Sequence, residues 1–215
     1  MSAAAQPRTP WIVGVSGASG TPYAAAVLRA LLTGGHAVDL VVSRAARLTI
    51  LDETGHSLRD AHWREDLQQW LEHPLDAADL RYWPAGDLAA GPSSGSYRAK
   101  GMIVVPASTA ACAGIALGLS KDLLQRAAEV NLKERRPVVV VPRETPVTRS
   151  HLLHLVELID SGAVVLPASP GFYGIGAKAD AQRLIDFVAG KALDAAGIEH
   201  DLLTRWTGHL GTRPT

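Results

Sequence analysis

Several clusters in this chain carry groups that bind anions or move protons. Gly14-Val15-Ser16-Gly17-Ala18-Ser19-Gly20 sets two hydroxyls among three glycines, directly before Thr21-Pro22. Between a strand and a helix, such a turn offers backbone N–H groups and a helix N-terminus to an anion, and Gly17 and Gly20 allow close approach. No Lys-Ser/Thr follows the last glycine, so this is not a P-loop. NAD is a poor match as well, because Ser43-Arg44 stands where an acidic residue would hold the ribose. Arg44 could meet a 2′-phosphate, as in NADP. A mononucleotide such as FMN, with one phosphate and a flat ring, suits the serines better.

A second set of charges asks for a second anion. Arg126, Lys133, Arg143 and Lys191, with the hydroxyl of Tyr173, could converge on a phosphate. Taken singly, each also reads as a solvated charge, and Lys133-Glu134-Arg135-Arg136 as a helix end favoured by the macrodipole. Arg143-Glu144 differs, because it directly follows the apolar run Val138–Val141. A carboxylate beside an arginine at the end of a buried strand is a candidate proton-transfer group with an electrostatic partner. The eight histidines form no metal pattern: His151 and His154 are three apart without HExxH and read as a surface pair. No nucleophile elbow surrounds the serines. Cys112, within AACAGIALG, reads as a small buried residue.

The elements that must carry these groups follow from five apolar runs: Trp11–Val15, Ala37–Val42, Met102–Val105, Val138–Val141 and Ala163–Leu166. Continuous runs without alternation suit strands buried on both faces of a mainly parallel sheet, whose ligands bind outside the carboxyl ends. Each run is followed by a cluster containing hydroxyl, small or charged residues, so the ligand side of the sheet is marked five times. Helices are predicted from Pro22 to Leu32, about 45–51, 61–73, 110–117, from Ser120, about 149–159 and about 179–196. Arg126 and Lys133, seven apart, share one helix face. Trp63 and Trp70, also seven apart, read as a core or subunit-contact stripe rather than a ligand-stacking pair. Residues 84–101, rich in Gly, Ser and Pro and including Tyr97, Arg98 and Lys100, are long enough to suggest a lid.

At 215 residues and 47% hydrophobic, the chain is read as one α/β domain over 11–215, with a loose tail at 1–10 and an extension from about 198 that carries Trp206. Equal numbers of basic and acidic residues, 21 each, argue against a general nucleic-acid or anionic-membrane binder. One cysteine excludes an internal disulfide framework and fits a reducing compartment. No run reaches the roughly 18–20 apolar residues of a membrane span. The first ten residues lack an apolar signal core, so a soluble, cytoplasmic protein is expected.

With these residues in view, the chain resembles the flavin prenyltransferase (UbiX-like) family. The matching segments are GVSGASGTPYA (14–24), SGSYRAKGMIVVPAST (94–109), LGLSKDLLQRAAEVNLKERRPVVVVPRETP (117–146) and LPASPGFY (166–173). The resemblance implies a flavodoxin-like (Rossmann-type) three-layer α/β/α fold and a metal-independent transfer of a dimethylallyl group from dimethylallyl phosphate to N5 and C6 of reduced FMN. The prenylated FMN would serve a UbiD-type decarboxylase. By the same resemblance, Gly17, Ala18, Ser19, Ser43, Ser108, Thr109 and Arg143 would hold FMN, with Ser19 also counted among the catalytic residues. Arg126, Lys133, Tyr173 and Lys191 would hold the donor phosphate, with Lys133 counted as catalytic, and Glu144 would be the acid/base. Glu53 would reach a neighbouring subunit's site, near Trp206, in a homo-oligomer, a dodecamer by resemblance. Lys191 and Lys100 replace the arginine and asparagine of some members. Two other readings share the fold: a flavin-dependent cysteine-type decarboxylase, whose asparagine after the third strand's serine is absent here, and a flavin carrier without chemistry.

Overall fold

Alternate residues of each apolar run feed two separate cores, and this makes the sheet a middle layer. The computed structural model describes residues 8–172 and 180–205. The strands are β1 (Trp11–Val15), β2 (Val38–Val42), β3 (Leu80–Pro84), β4 (Gly101–Ala107), β5 (Val138–Pro142) and β6 (Val164–Val165). The helices are α1 (Thr21–Thr33), α2 (Arg44–Thr54), α3 (Trp63–Leu71), α4 (Thr109–Ala116), α5 (Leu123–Lys133), α6 (Arg149–Asp160) and α7 (Ala181–Ala195). Val13, Leu40, Ile103 and Val139 pack with α1, α2, α3 and α7. Ile12, Val41, Met102, Val104 and Val140 pack with α4, α5 and α6. The result is the expected three-layer α/β/α fold.

The sheet order is β3-β2-β1-β4-β5-β6, and every pair is parallel. The chain builds outward from β1 on one side and from β4 on the other, so the strand order switches at β1/β4. A crevice opens at the carboxyl ends there. β3 was not among the five predicted strands. It is an edge strand in which only Leu80 is buried, and a search for continuous apolar runs passes over such a strand. Trp70 is buried, and Trp63 stacks on Tyr82 with ring centroids 5.8 Å apart, so the tryptophan stripe belongs to this chain's own core.

Five of the helices start with the residue type that their backbone needs. Ser43, Ser108, Asp122, Thr148 and Asp180 each accept a hydrogen bond from the amide three residues on, at the starts of α2, α4, α5, α6 and α7. Each such cap contributes about 1 kcal/mol. His151 completes a capping box with Thr148, which accounts for one of the two histidines read as a surface pair.

Residues 85–100 form the crossover from the carboxyl end of β3 to the amino end of β4, and they lie along α5 rather than over the crevice. Leu123 N donates to Ala85 O (2.8 Å), Arg126 Nε to Ser93 O (3.1 Å) and Arg136 to Gly95 O (2.9 Å). Tyr97 then donates to Asp39 (2.6 Å), a fully buried carboxylate in β2. A buried charge needs partners, and Arg8 supplies the other at 2.6 Å, so residues 8–10 are held on the sheet rather than loose. Burial first, then Asp39, pushes the Tyr97 phenol up to about 12. Residues 198–205 fold back on α7, where Asp194 binds both His200 and Arg205. Among the described residues no helix is long and apolar enough to cross a membrane.

Candidate functional site

Ser16 laces the crevice shut at its base. Its N–H and hydroxyl both donate to Pro106 O (3.2 and 2.9 Å), and its Oγ accepts from Ser108 N (2.7 Å). Ser43 N bonds Val15 O, and Arg143 N bonds Ala107 O. The ends of β1, β2, β4 and β5 are therefore tied in one row. Ser16 had no role in the sequence reading. Its type was visible, but its cross-strand partner was not.

Above this row the turn after β1 meets α2 and Arg143. A Cβ at Gly17 would stand 2.4 Å from that of Ala45, so only glycine permits this approach. Arg143 Nε donates to Ser19 O (3.0 Å) across the crevice. Gly17, Ala18, Ser19, Ser43, Ser108 and Arg143 thus lie together at the carboxyl ends of the strands. The Ser43 and Ser108 oxygens accept from their helices, which leaves each O–H to donate to a ligand. Thr109 and Glu144 line an adjoining cavity of about 240 Å³, otherwise walled mainly by apolar groups including Cys112, Val147, Leu152 and Leu155. Burial pushes the Cys112 thiol up to about 12, so it remains an inert wall. Glu144 itself is exposed, and its Oε1 accepts from Thr145 N (3.0 Å).

The glycine turn does bind an anion, but the anion is the chain's own. Glu53 accepts from Gly20 N (2.9 Å), Thr21 N (2.8 Å) and the Thr21 hydroxyl (2.6 Å), capping α1 from 33 residues away. Gly20, at φ 110°, supplies no cap of its own. Glu53 thus sits beside Ser19 of its own chain. Burial alone would raise its pKa, but the hydrogen bonds from Ser19, Thr21 and the two amides outweigh it and leave the carboxyl below its ordinary value. A depressed carboxylate stabilises the fold above its unfolded pKa, and that contribution is lost as pH falls through the folded one. Glu53→Gln is expected to cost about 1–2 kcal/mol near neutral pH. The gap between variant and native unfolding curves should close with acidification through the carboxylate range, and a pH-independent gap would contradict the capping role.

The remaining cations do not converge within one chain. Arg126 and Lys133 lie on α5 and Lys191 on α7, in opposite layers. α5 begins beside the carboxyl end of β3 and runs back toward the amino end of β5. Lys133 therefore ends about 15 Å along the helix from the ligand edge. Lys100 is also at the amino edge of the sheet, where its Nζ is 3.4 Å from His36 Nδ1. Lys191 lies 3.7 Å from Asp194. Tyr173 and Trp206 lie outside the described residues.

Comparison with known proteins decides between the readings that share this fold. The Flavoprotein family model matches residues 2–193. A flavin prenyltransferase UbiX from Streptomyces coelicolor is 66% identical, over 96% of this chain and 99% of that protein. One from Pseudomonas aeruginosa is 38% identical over 89% and 91%. The chain belongs to the flavin prenyltransferase UbiX family. Among solved UbiX structures, AnUbiX (PadA1) in complex with FMN and dimethylallyl pyrophosphate superimposes with a TM-score of 0.82 at 36% identity, covering 94% of this chain and 100% of that one. A dodecameric FMN-dependent UbiX-like decarboxylase from Escherichia coli O157:H7 gives 0.80 at 36% identity, with the same coverage.

The UbiX cofactor class fits the groups present. Hydroxyls and one guanidinium suit a single phosphate, and the largely apolar cavity beside them suits a flat ring or a short hydrocarbon chain. The Glu53 carboxylate occupies the amides that open α1. Among the described residues no group of three or more His, Cys, Asp or Glu could hold a metal ion.

Proposed function

We propose that this protein transfers a dimethylallyl group from dimethylallyl phosphate to reduced FMN. The observation that carries the reading is Glu144, whose carboxylate lines an apolar cavity while Arg143, next in the chain, reaches across the crevice to Ser19. Reduced FMN supplies the nucleophilic atoms, N5 and C6. Gly17, Ala18, Ser19, Ser43, Ser108 and Thr109 hold and orient it, and Arg143 offsets negative charge. Glu144 takes the proton released at N5, returns one to the dimethylallyl double bond and takes the one released at C6. The apolar cavity walls exclude water from the donor's hydrocarbon chain. Arg126, Lys133, Tyr173 and Lys191 bind the phosphate and stabilise the charge that develops as it leaves.

Because Lys133 stands at the wrong edge of its own sheet, it serves a neighbouring copy's crevice, and the working protein is a homo-oligomer. The dodecameric relative supports that reading. The product passes to a UbiD-type decarboxylase, and the reduced Cys112 thiol fits a cytoplasmic setting. The direct test is mass spectrometry of the flavin released after incubation with reduced FMN and dimethylallyl phosphate. A gain of one C5H8 unit is expected, and unaltered FMN under reducing conditions would leave the carrier reading standing.

A further inference from the structure

Gly95 is glycine for a reason its backbone does not supply. Its φ lies outside the left-handed region, but a methyl group there would stand 2.7 Å from Lys133 Nζ and closer still to Glu134 Oε1. Lys133 and Glu134 form an ion pair, and the 91–97 segment lies against it. That segment is fixed on both sides of the contact: Ser93 O accepts from Arg126 and Gly95 O from Arg136. Arg126 is further held by Glu129 (3.1 Å), whose carboxylate also accepts from the Ser120 hydroxyl. Two hydrogen-bonding groups thus fix the Arg126 guanidinium, while glycine keeps the room that Lys133 needs.

We propose that the 91–97 strap is a positioning element for the donor phosphate, setting Arg126 through Ser93 and Lys133 through the empty side of Gly95. This rests on the reading of Arg126 and Lys133 as phosphate ligands. A phosphate contact depends on a charge being held in place. Lys133 Nζ and the Glu134 carboxylate are the far ends of flexible side chains, so an added methyl group displaces them and leaves the backbone as it is.

Gly95→Ala is therefore expected to fold normally and raise KM for dimethylallyl phosphate about five- to twentyfold, the scale of one displaced charged hydrogen bond. The FMN dissociation constant and kcat at saturating donor should stay within about twofold of native. Gly86→Ala, in the same crossover but with nothing within 4 Å of the added methyl group, is the control and should match the native protein. Adding Glu134→Ala to Gly95→Ala removes the shorter contact and lets Lys133 move aside, so KM should fall back toward that of Glu134→Ala alone. A native KM for Gly95→Ala, in a protein that Lys133→Ala cripples, would overturn the strap's role and leave the phosphate reading intact. Native donor use by both variants would overturn the phosphate reading itself. Joint loss of thermal stability, FMN binding and donor use by Gly95→Ala would reduce the strap to a folding element and also overturn the proposal.

Discussion

Replacing Lys133 with alanine is expected to cost about 10²–10³ in kcat/KM for dimethylallyl phosphate while FMN binds as before. Breaking the donor's C–O bond places new negative charge on a phosphate in a water-poor pocket, where a fixed ammonium acts far more strongly than in bulk solvent. FMN binding should survive because the groups assigned to it, from Gly17 to Arg143, lie at the opposite edge of the sheet from Lys133. The same separation gives a sharper experiment. Lys133→Ala and Glu144→Gln chains, each inactive alone, should regain activity when unfolded, mixed in equal amounts and refolded together. If one copy supplies Lys133 and another Glu144, about a quarter of the mixed sites hold both native residues. If both residues came from one chain, no mixed site would be whole. Zero recovery in verified hetero-oligomers would place Lys133 outside the neighbour's site. Full loss of FMN from the Lys133→Ala chain would instead assign the residue to folding or flavin binding.

The parts of the fold that the sequence shows most clearly are those governed by local rules. Four strands were visible because each is an apolar run buried on both faces, while the fifth run, expected to be buried, gives only the two-residue edge strand β6 with Val164 exposed. β3 was not, because an edge strand with one buried residue carries no such run. What depends on long-range placement was less legible. The seven-residue spacing puts Arg126 and Lys133 on one helix face, but it is silent on which edge of the sheet the end of that helix meets. Glu53 carried no local sign that it caps a helix 33 residues earlier in the chain. Asp39 did offer a usable signal, since a carboxylate inside the run Ala37–Val42 must find buried partners. Arg8 and Tyr97 are those partners, and they tie residues 8–10 and the predicted lid to the domain.

Glu144→Gln is expected to slow formation of prenylated FMN by about 10²–10⁴-fold, the usual contribution of a positioned general base, with FMN and donor binding little changed. Bonding carbon to N5 of reduced FMN releases one proton, and closing the ring at C6 releases another while the dimethylallyl double bond takes one up, so a group in a mostly apolar cavity must both accept and return a proton. Glu144 is the one carboxylate lining that cavity among the described residues. Glutamine keeps the length of the side chain, and its carbonyl can still accept from Thr145 N as the carboxylate does now. The change therefore removes proton acceptance and little else. His151 is the competing base, since its ring also lines the cavity, but its Nδ1 already accepts from Thr148 N in the α6 capping box. The two candidates separate cleanly. His151→Gln keeps a capping-box side chain at that position, so it should leave both stability and the single-turnover rate near native. Native turnover by Glu144→Gln together with a collapse in His151→Gln would move the base from the strand end to the helix. Loss in both variants through FMN release alone would show that neither residue was acting on the proton.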